Sequence, residues 1–327
     1  MDVEETNPRV EDATVVTETR FMLDATHTEG LKLHGYEYVN ASERNESAVV
    51  VVCHGYCDHA RGESVAAITQ YGTAERGLTT YAIDLTGFGE TANGVGQTLG
   101  LIPSFQYLDE DILVLLRYVR EQHPNKPVYL VGESMGGAVC IQVARMLSKA
   151  GNAVDGVVLF APMVGISEEQ KPPSWQIPLL KGMAFLAPKW AVVPAKDNVL
   201  EDCFTDPEVI ARVEADPLHY AGKPRLKSAS ELLAASEEVY ANMEELDTPF
   251  LVLHSRDDLM CPYAHSEELV QRASTQDKTL VSYDGLKHAL PVEPNGVGKG
   301  ILATAFDWIE ERVRAIAQPE ASASDNQ

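Results

Sequence analysis

The sequence contains few basic residues, few cysteines and no long apolar run. Its 327 residues include 26 Lys and Arg against 49 Asp and Glu, which gives a formal net charge of −23. Proteins that bind nucleic acids or anionic membranes through charge use Lys and Arg to neutralise phosphate groups. We therefore expect no nucleic-acid ligand and no broad electrostatic docking on an anionic membrane.

The cysteines predict neither a disulfide framework nor a metal site. There are 5 of them, an odd number, and they are scattered without the spacing of metal ligands. Free cysteines fit a reducing compartment, so we expect a cytoplasmic protein. No apolar run reaches the roughly 18 residues of a membrane span, and the acidic N-terminal segment lacks the apolar centre of a signal peptide.

Short apolar runs alternate with helical patterns through most of the chain. The run 48–53 is apolar and β-branched throughout, as in a strand that is buried on both faces. The next stretches repeat this strand and helix rhythm, which is typical of parallel βαβ units. We therefore predict an α/β fold whose core consists of residues 19–162 and 246–317.

Three segments depart from this rhythm. Residues 163–245 show no clear strand pattern and are rich in Pro, Leu, Trp and Met, so we predict an inserted helical cap. Residues 1–18 and 318–327 are polar or charged and are expected to be disordered tails.

The strongest motif is Gly132-Glu133-Ser134-Met135-Gly136, which has the form G-x-S-x-G. An apolar strand pattern precedes it and a helical pattern follows it. This context is that of a nucleophile elbow, in which a serine sits on a sharp turn between a strand and a helix of an α/β-hydrolase. Small flanking residues allow the strand and the helix to pack closely there. The motif predicts Ser134 as a nucleophile.

A serine hydroxyl needs an adjacent base, and in this fold class an acid and then a histidine follow the serine in the chain. Of the four histidines after the motif, His219 lies in the predicted cap, His254 ends a strand and His265 lies early in a helix. His288 follows a late strand in a glycine-containing loop, which is where the base is expected. We therefore predict His288 as the base.

The acid is expected one strand before the base. Asp257 and Asp258 both follow the strand pattern 250–254, and the spacing alone leaves both open. The acid would orient the imidazole and stabilise its charged form.

The oxyanion of an acyl-transfer reaction needs hydrogen-bond donors that are already in place. The backbone N–H of Met135, directly after the nucleophile, is one expected donor. The loop His54-Gly55-Tyr56 follows the strand 48–53 and is expected to supply the second through the N–H of Tyr56. We also predict that His54 and Gly55 shape the substrate site.

Several segments together resemble one known family. They are Cys53-His54-Gly55-Tyr56, the Asp84-containing run 82–89, the run 102–105, the elbow 132–138, the run 159–163 and the cap segment 222–226. On these residues the chain resembles the monoacylglycerol lipase and lysophospholipase family of α/β-hydrolases. Its plant branch, which includes caffeoylshikimate esterases, looks nearest.

The resemblance implies an α/β-hydrolase fold, a mostly parallel sheet flanked by helices, with an inserted cap. Carried over residue by residue, it implies a triad of Ser134, Asp258 and His288, with the amides of Tyr56 and Met135 as oxyanion donors. The acid falls on Asp258 through a pattern of the type H-G-x-x-D, in which this chain has Ser255 at the glycine position. Such an enzyme requires no metal and no organic cofactor.

One part of the predicted cap reverses the overall charge. Residues 170–196 contain four lysines, two tryptophans and no Asp or Glu. A basic amphipathic segment with tryptophans suits peripheral contact with lipid, although its apolar face could equally pack on the core. Substrate contacts are expected from Trp175, Leu179, Met183 and Leu186.

These observations lead to three hypotheses for the function. The first is a monoacylglycerol lipase that acts on a small lipid ester through an acyl-enzyme. The second is another ester hydrolase of the same family, acting on a lysophospholipid or a caffeoylshikimate-type ester, because the motifs fix the chemistry and the pocket fixes the substrate. The third is a binding protein with a hydrolase fold and no turnover. The sequence does not indicate an oligomeric state.

Overall fold

The computed structural model describes residues 4–11, 14–42, 47–165, 173, 175–192 and 198–317. The strands, in chain order, are β1 (Glu4–Glu11), β2 (Thr14–Asp24), β3 (Lys32–Asn40), β4 (Val49–Cys53), β5 (Thr79–Ile83), β6 (Val128–Glu133), β7 (Gly156–Phe160), β8 (Phe250–Ser255) and β9 (Lys278–Tyr283). The helices are α1 (Glu63–Gln70), α2 (Phe105–Gln122), α3 (Met135–Lys149), α4 (Ile177–Leu186), α5 (Val199–Cys203), α6 (Pro207–Ala215), α7 (Leu226–Ala241), α8 (Tyr263–Arg272) and α9 (Val297–Ala317).

The described strands form one sheet in the order β1-β2-β3-β5-β4-β6-β7-β8-β9. Strands β4 to β9 pair in parallel, whereas β1, β2 and β3 form an antiparallel edge that joins β5. Every residue of β4 to β8 is buried, because helices cover both faces of a parallel sheet. The predicted α/β-hydrolase fold with a mostly parallel sheet is confirmed.

Alternate residues of each central strand face opposite layers of helices. In β4, Val51 packs in the core on the α2, α3 and α8 side, and its neighbour Val52 packs in the core on the α1 and α9 side. The other central strands divide in the same way, as the two-residue repeat of a strand requires. The rigid sheet between the two layers fixes where each strand ends, and therefore where the loops that follow begin.

The N-terminal segment differs from the prediction. Residues 1–18 were expected to be disordered, but β1 and most of the first half of β2 lie in this segment, and β2 pairs with β3 along its length. The backbone ladder supplies hydrogen bonds that do not depend on apolar side chains, so a polar composition does not exclude a strand. Phe21 anchors the pair, because its buried ring lies directly over the bare backbone of Gly35. The tail 318–327 lies outside the described residues.

The part of the chain between β7 and β8 folds into helices α4 to α7, with no strand among its described residues. Helix α7 is joined to the core by Ser228, which accepts a hydrogen bond from the amide of Ile102 at 2.9 Å and donates one to the carbonyl of Gly100 at 2.8 Å. Among the described helices, none combines the length and the apolar character needed to cross a membrane.

Candidate active site

Ser134 lies on a strained turn between β6 and α3. Its backbone has φ +53° and ψ −119°, a conformation that L-residues rarely adopt. The neighbouring glycines make the turn sterically feasible: a side-chain carbon at Gly132 would lie 2.4 Å from the carbonyl oxygen of Gly136, and one at Gly136 would lie 2.2 Å from that of Cys53. The amide of Ser134 donates to the carbonyl of Phe160 at 3.0 Å, which fastens the turn to β7.

The structure brings Asp258 and His288 together. Nδ1 of His288 lies 2.7 Å from Oδ2 of Asp258, across the loops that follow β8 and β9. Asp257, the other candidate, instead accepts a hydrogen bond from the amide of Gly285 at 2.6 Å. The geometry therefore selects Asp258 as the partner of His288.

Ser255 occupies the glycine position of the H-G-x-x-D pattern and forms two hydrogen bonds there. Its hydroxyl donates to the carbonyl of Leu286 at 2.7 Å and accepts from the amide of Asp257 at 3.2 Å. These two bonds tie the loop that carries Asp258 to the loop that carries His288. The departure from the pattern thus adds a link between the two loops.

The charges of this pair reinforce each other. Burial opposes ionisation of Asp258, but the charge of His288 and the hydrogen bonds from His254 and His288 outweigh it and hold the pKa of the carboxyl well below its usual range. Burial likewise opposes the charge on His288, yet the nearby Asp258 carboxylate raises the pKa of the imidazole above its usual value. The site therefore favours an ionised Asp258 and a more basic His288.

Ser134 and the Asp258 carboxylate contact the same residue. Sγ of Cys261 lies 3.9 Å from Oγ of Ser134, and the amide of Cys261 donates to Oδ1 of Asp258 at 3.1 Å. Glu133, the residue before the serine, is buried; burial raises its pKa to about 7, while the charge of His288 opposes that rise. The elbow therefore lies beside the Asp258–His288 pair.

The loop after β4 lies against the elbow. A side-chain carbon at Gly55 would meet the Cβ of Ser134 at 3.5 Å, so the backbone of this loop passes directly beside the serine. The amide of Tyr56 follows in the same loop, and that of Met135 begins α3. The assignment of these two amides as oxyanion donors stays a prediction.

His54 plays a different part from the one expected. We predicted a substrate-binding residue, but the side chain is fully buried. Its Nδ1 lies 2.8 Å from the carbonyl of Gly55, and its Nε2 accepts from the amide of Leu85 at 3.1 Å. Burial lowers the pKa of His54 to about 3, so the ring is neutral and braces the loop rather than contacting substrate.

Comparisons with known proteins agree with this geometry. The family model described as "Serine aminopeptidase, S33" matches residues 44–295. The chain belongs to this S33 family. It is 30% identical over 243 residues to caffeoylshikimate esterase of Arabidopsis thaliana, covering 73% of this chain and 70% of the relative. It is 30% identical over 261 residues to a monoacylglycerol lipase of Mycolicibacterium smegmatis, covering 80% and 87% of the two chains.

A solved structure supports the fold of this S33 chain. The crystal structure of the monoacylglycerol lipase from Paleococcus ferrophilus superposes with a TM-score of 0.69 at 21% identity, covering 86% of this chain and 99% of that chain. The resemblance inferred from the sequence is confirmed by these matches. The protein is a serine hydrolase enzyme of the lipase and esterase type.

The cap residues predicted to touch substrate lie on or just before α4 of this S33 chain. Trp175 is 71% exposed, Leu179 59% and Leu186 82%, whereas Met183 is half-buried. The first three thus form part of an exposed apolar surface, and their contact with a substrate at Ser134 stays a prediction. Of the basic segment 170–196, residues 170–172, 174 and 193–196 lie outside the described residues.

The helical segment between β7 and β8 attaches to the loops of the site through contacts that sequence patterns do not predict. Tyr220 donates its amide to the carbonyl of Cys57 at 2.9 Å, and His59 contacts Asp216 through Nε2 at 2.8 Å. On the other side, the amide of Ala289 donates to the carbonyl of Cys203 at 2.9 Å. The segment between β7 and β8 therefore contacts both the loop after β4 and the loop that carries His288. No sequence motif predicts these contacts, because each joins backbone groups or two side chains that are distant in the sequence.

Proposed function

We propose that the protein is a monoacylglycerol lipase, which cleaves the ester of a single acyl chain and releases a fatty acid and glycerol. The observation that carries the proposal is an exposed apolar surface on and around α4, in a chain that also holds a half-buried Ser134 next to the Asp258–His288 pair. We call this surface the α4 surface; it consists of Trp175, Leu179, Phe185, Leu186 and Trp190. Exposed patches of this kind mark contacts with lipid or protein, and a monoacylglycerol must be taken from a lipid phase.

In the proposed acylation step, His288 accepts the proton of Ser134 while the hydroxyl oxygen attacks the ester carbonyl. The oxyanion that forms accepts hydrogen bonds from the amides of Tyr56 and Met135. His288 then gives the proton to the leaving glycerol oxygen, and an acyl-enzyme remains on Ser134. Asp258 holds the imidazole with its hydrogen on Nδ1 and stabilises the charged ring.

Deacylation uses the same groups in the reverse order. A water molecule gives its proton to His288 and attacks the acyl carbonyl, and the same two amides stabilise the second oxyanion. The proton returns to Ser134 as the fatty acid leaves. The raised pKa of His288 makes the ring a stronger base, but it also means that activity falls as the pH drops through that pKa.

Residues 163–245 act in this proposal as an inserted cap that brings the enzyme to lipid. Lys181 and Lys189 are exposed next to the apolar side chains of the α4 surface. Apolar side chains that enter the interface while lysines stay at its polar edge are typical of peripheral association. We propose a cytoplasmic enzyme that contacts membranes through this surface alone.

Removal of two side chains from the α4 surface should weaken binding to lipid. Phe185 and Leu186 are 85% and 82% exposed. Burying a side chain of this size contributes about 1.5–3 kcal/mol, so we expect the F185S/L186S variant to bind phosphatidylcholine vesicles at least about tenfold more weakly. Co-sedimentation with vesicles measures this loss.

The matched control is Ile316→Ser at the far end of α9, which also removes an exposed apolar side chain. It should bind vesicles like the wild type. Both variants should hydrolyse a water-soluble short-chain ester at the wild-type rate, because the substituted side chains lie on α4 and α9 and a short acyl group has no long chain to place on α4. Equal vesicle binding by all three proteins would contradict a lipid role for the α4 surface.

A second candidate substrate is a caffeoylshikimate-type ester. The observation that favours it is the similarity to caffeoylshikimate esterase of Arabidopsis thaliana over 73% of this chain. The proposed steps at Ser134 are the same for this ester, for a lysophospholipid and for a monoacylglycerol, so the pocket alone separates the three.

A substrate panel tests the choice. We expect kcat/KM for a long-chain monoacylglycerol to exceed that for caffeoylshikimate by at least about tenfold, because burial of an acyl chain in an apolar cap favours the lipid ester. Lysophosphatidylcholine carries the same kind of acyl chain, so its kcat/KM reports what the headgroup contributes. Release of fatty acid or caffeate measures each rate. A higher kcat/KM for caffeoylshikimate would replace the lipase proposal with the second candidate.

A further inference from the structure

The carboxylate of Asp258 has a second imidazole partner that the proposed mechanism does not use. Nε2 of His254 lies 3.0 Å from Oδ2 of Asp258, the same oxygen that contacts Nδ1 of His288 at 2.7 Å. The side chains of His254 and Asp258 are fully buried, and that of His288 is 8% exposed. Hydrogen bonds in such a buried place have larger effects than those at the surface.

The surroundings of His254 fix the orientation of its ring. A carboxylate can only accept hydrogen bonds, so the ring must carry a hydrogen on Nε2. Oγ of Ser266 lies 2.8 Å from Nδ1, so the other ring nitrogen also has a hydrogen-bond partner. Ser266 is itself fully buried in the first part of α8, so the ring has one orientation in which both nitrogens are satisfied.

We propose that His254 is a positioning residue for the triad: it holds Oδ2 of Asp258 in the direction of His288. This inference rests on the proposed function. The other carboxylate oxygen, Oδ1, accepts from the amides of Met260 and Cys261 at 2.7 and 3.1 Å. With His254 present, each oxygen has two donors, and the carboxylate plane is fixed about its side-chain torsion.

His254 also adjusts the charge that His288 experiences. Its N–H places a partial positive charge beside the Asp258 carboxylate. This weakens the attraction of the carboxylate for the His288 proton. Without this donor the carboxylate would attract the proton more strongly, and the pKa of His288 would rise further. Other titratable groups that surround the three residues are Glu133, Asp58, Cys261 and Tyr263.

The test compares three variants in the full-length enzyme with a water-soluble ester. His254→Leu removes the donor, whereas His254→Gln keeps a side-chain N–H that can reach the carboxylate. His123→Leu is the control, since His123 bonds to Tyr81 at 2.8 Å at the end of α2 and belongs to no part of the site. All four surrounding titratable groups stay in place in every variant.

We expect His254→Leu to lower kcat by about tenfold to a hundredfold, as for loss of a hydrogen bond to a charged group, and to change KM by less than about twofold. The acid limb of its pH profile should move to higher pH. His254→Gln should restore most of both, and His123→Leu should match the wild type. Wild-type kcat and an unmoved acid limb in His254→Leu, or equal losses in the Leu and Gln variants, would overturn the proposal.

A second measurement does not depend on turnover. The Nδ1–H proton of His288 gives a far-downfield NMR resonance when it bonds to a carboxylate, and its titration reports the pKa of the ring. The titration midpoint should rise in His254→Leu and return in His254→Gln. If the midpoint follows this pattern while the wild type hydrolyses no ester, the positioning role stands and the proposed function fails; if esters are hydrolysed and the midpoint does not move, the reverse holds.

Discussion

Replacement of Ser134 by alanine should abolish ester hydrolysis. The proposed acyl-enzyme forms through the Ser134 oxygen, and no other hydroxyl lies on the strained turn that begins α3. Loss of the nucleophile from such a triad lowers kcat by about ten-thousandfold or more, and the residual rate comes from binding and from the oxyanion donors. Hydrolysis of a chromogenic ester under saturating substrate measures kcat directly.

The fold should survive this substitution. The nearest partner of the Ser134 hydroxyl is the thiol of Cys261 at 3.9 Å, a weak contact, so the free energy of unfolding should change by less than about 1 kcal/mol. Ser148→Ala, at the other end of α3, is the matched control and should keep full activity. A fluorophosphonate should label the wild type and Ser148→Ala but not Ser134→Ala. Labelling of Ser134→Ala would place the nucleophile on another residue, whereas a wild type that is never labelled would favour the binding-protein hypothesis.

The elbow and the late histidine could be read from the sequence because their geometry is local. A strand pattern, two glycines and a helical pattern around Ser134 leave few alternatives to a tight turn, and the structure has that turn with positive φ. The position of His288 follows from the order of strands in a parallel sheet, whose carboxyl ends all lie at one edge. Both predictions need only the spacing of residues along the chain and the general rules of sheet topology, so the sequence is sufficient for them.

Other features depend on contacts between distant residues, and the sequence could not predict them. The choice between Asp257 and Asp258 needed either the family resemblance or the observed 2.7 Å contact with His288. The burial of His54 and the contact of His254 with Asp258 arise from how the loops pack. In the sequence, each of these histidines only ends or follows a strand, which predicts neither finding. The N-terminal strand was not predicted because residue composition indicates apolar burial but not backbone pairing.

Asp258→Asn should be nearly as damaging as the loss of the nucleophile, because every group around this side chain is a donor. Oδ2 faces the imidazoles of His254 and His288, and Oδ1 faces the amides of Met260 and Cys261. An asparagine has one acceptor oxygen and one NH₂ group. The two amides cannot accept hydrogen bonds, so the asparagine oxygen must turn toward them and the NH₂ group toward the two imidazoles.

This arrangement forces the hydrogen of His288 onto the wrong nitrogen. Nδ1 must accept from the asparagine NH₂, so the hydrogen moves to Nε2, and Nε2 can no longer take the proton of Ser134. In a serine hydrolase triad this tautomer lowers kcat by about ten-thousandfold, and we expect a loss of this size with KM nearly unchanged. The pKa of His288 should also fall, since the carboxylate that raises it is gone, so the acid limb of the residual activity should move to lower pH.

Asp257→Asn, which alters a neighbouring carboxylate bonded to Gly285, is the matched control and should retain kcat within about tenfold. Kinetics from acid to neutral pH on both variants test the assignment, and a larger loss in Asp257→Asn than in Asp258→Asn would reverse it.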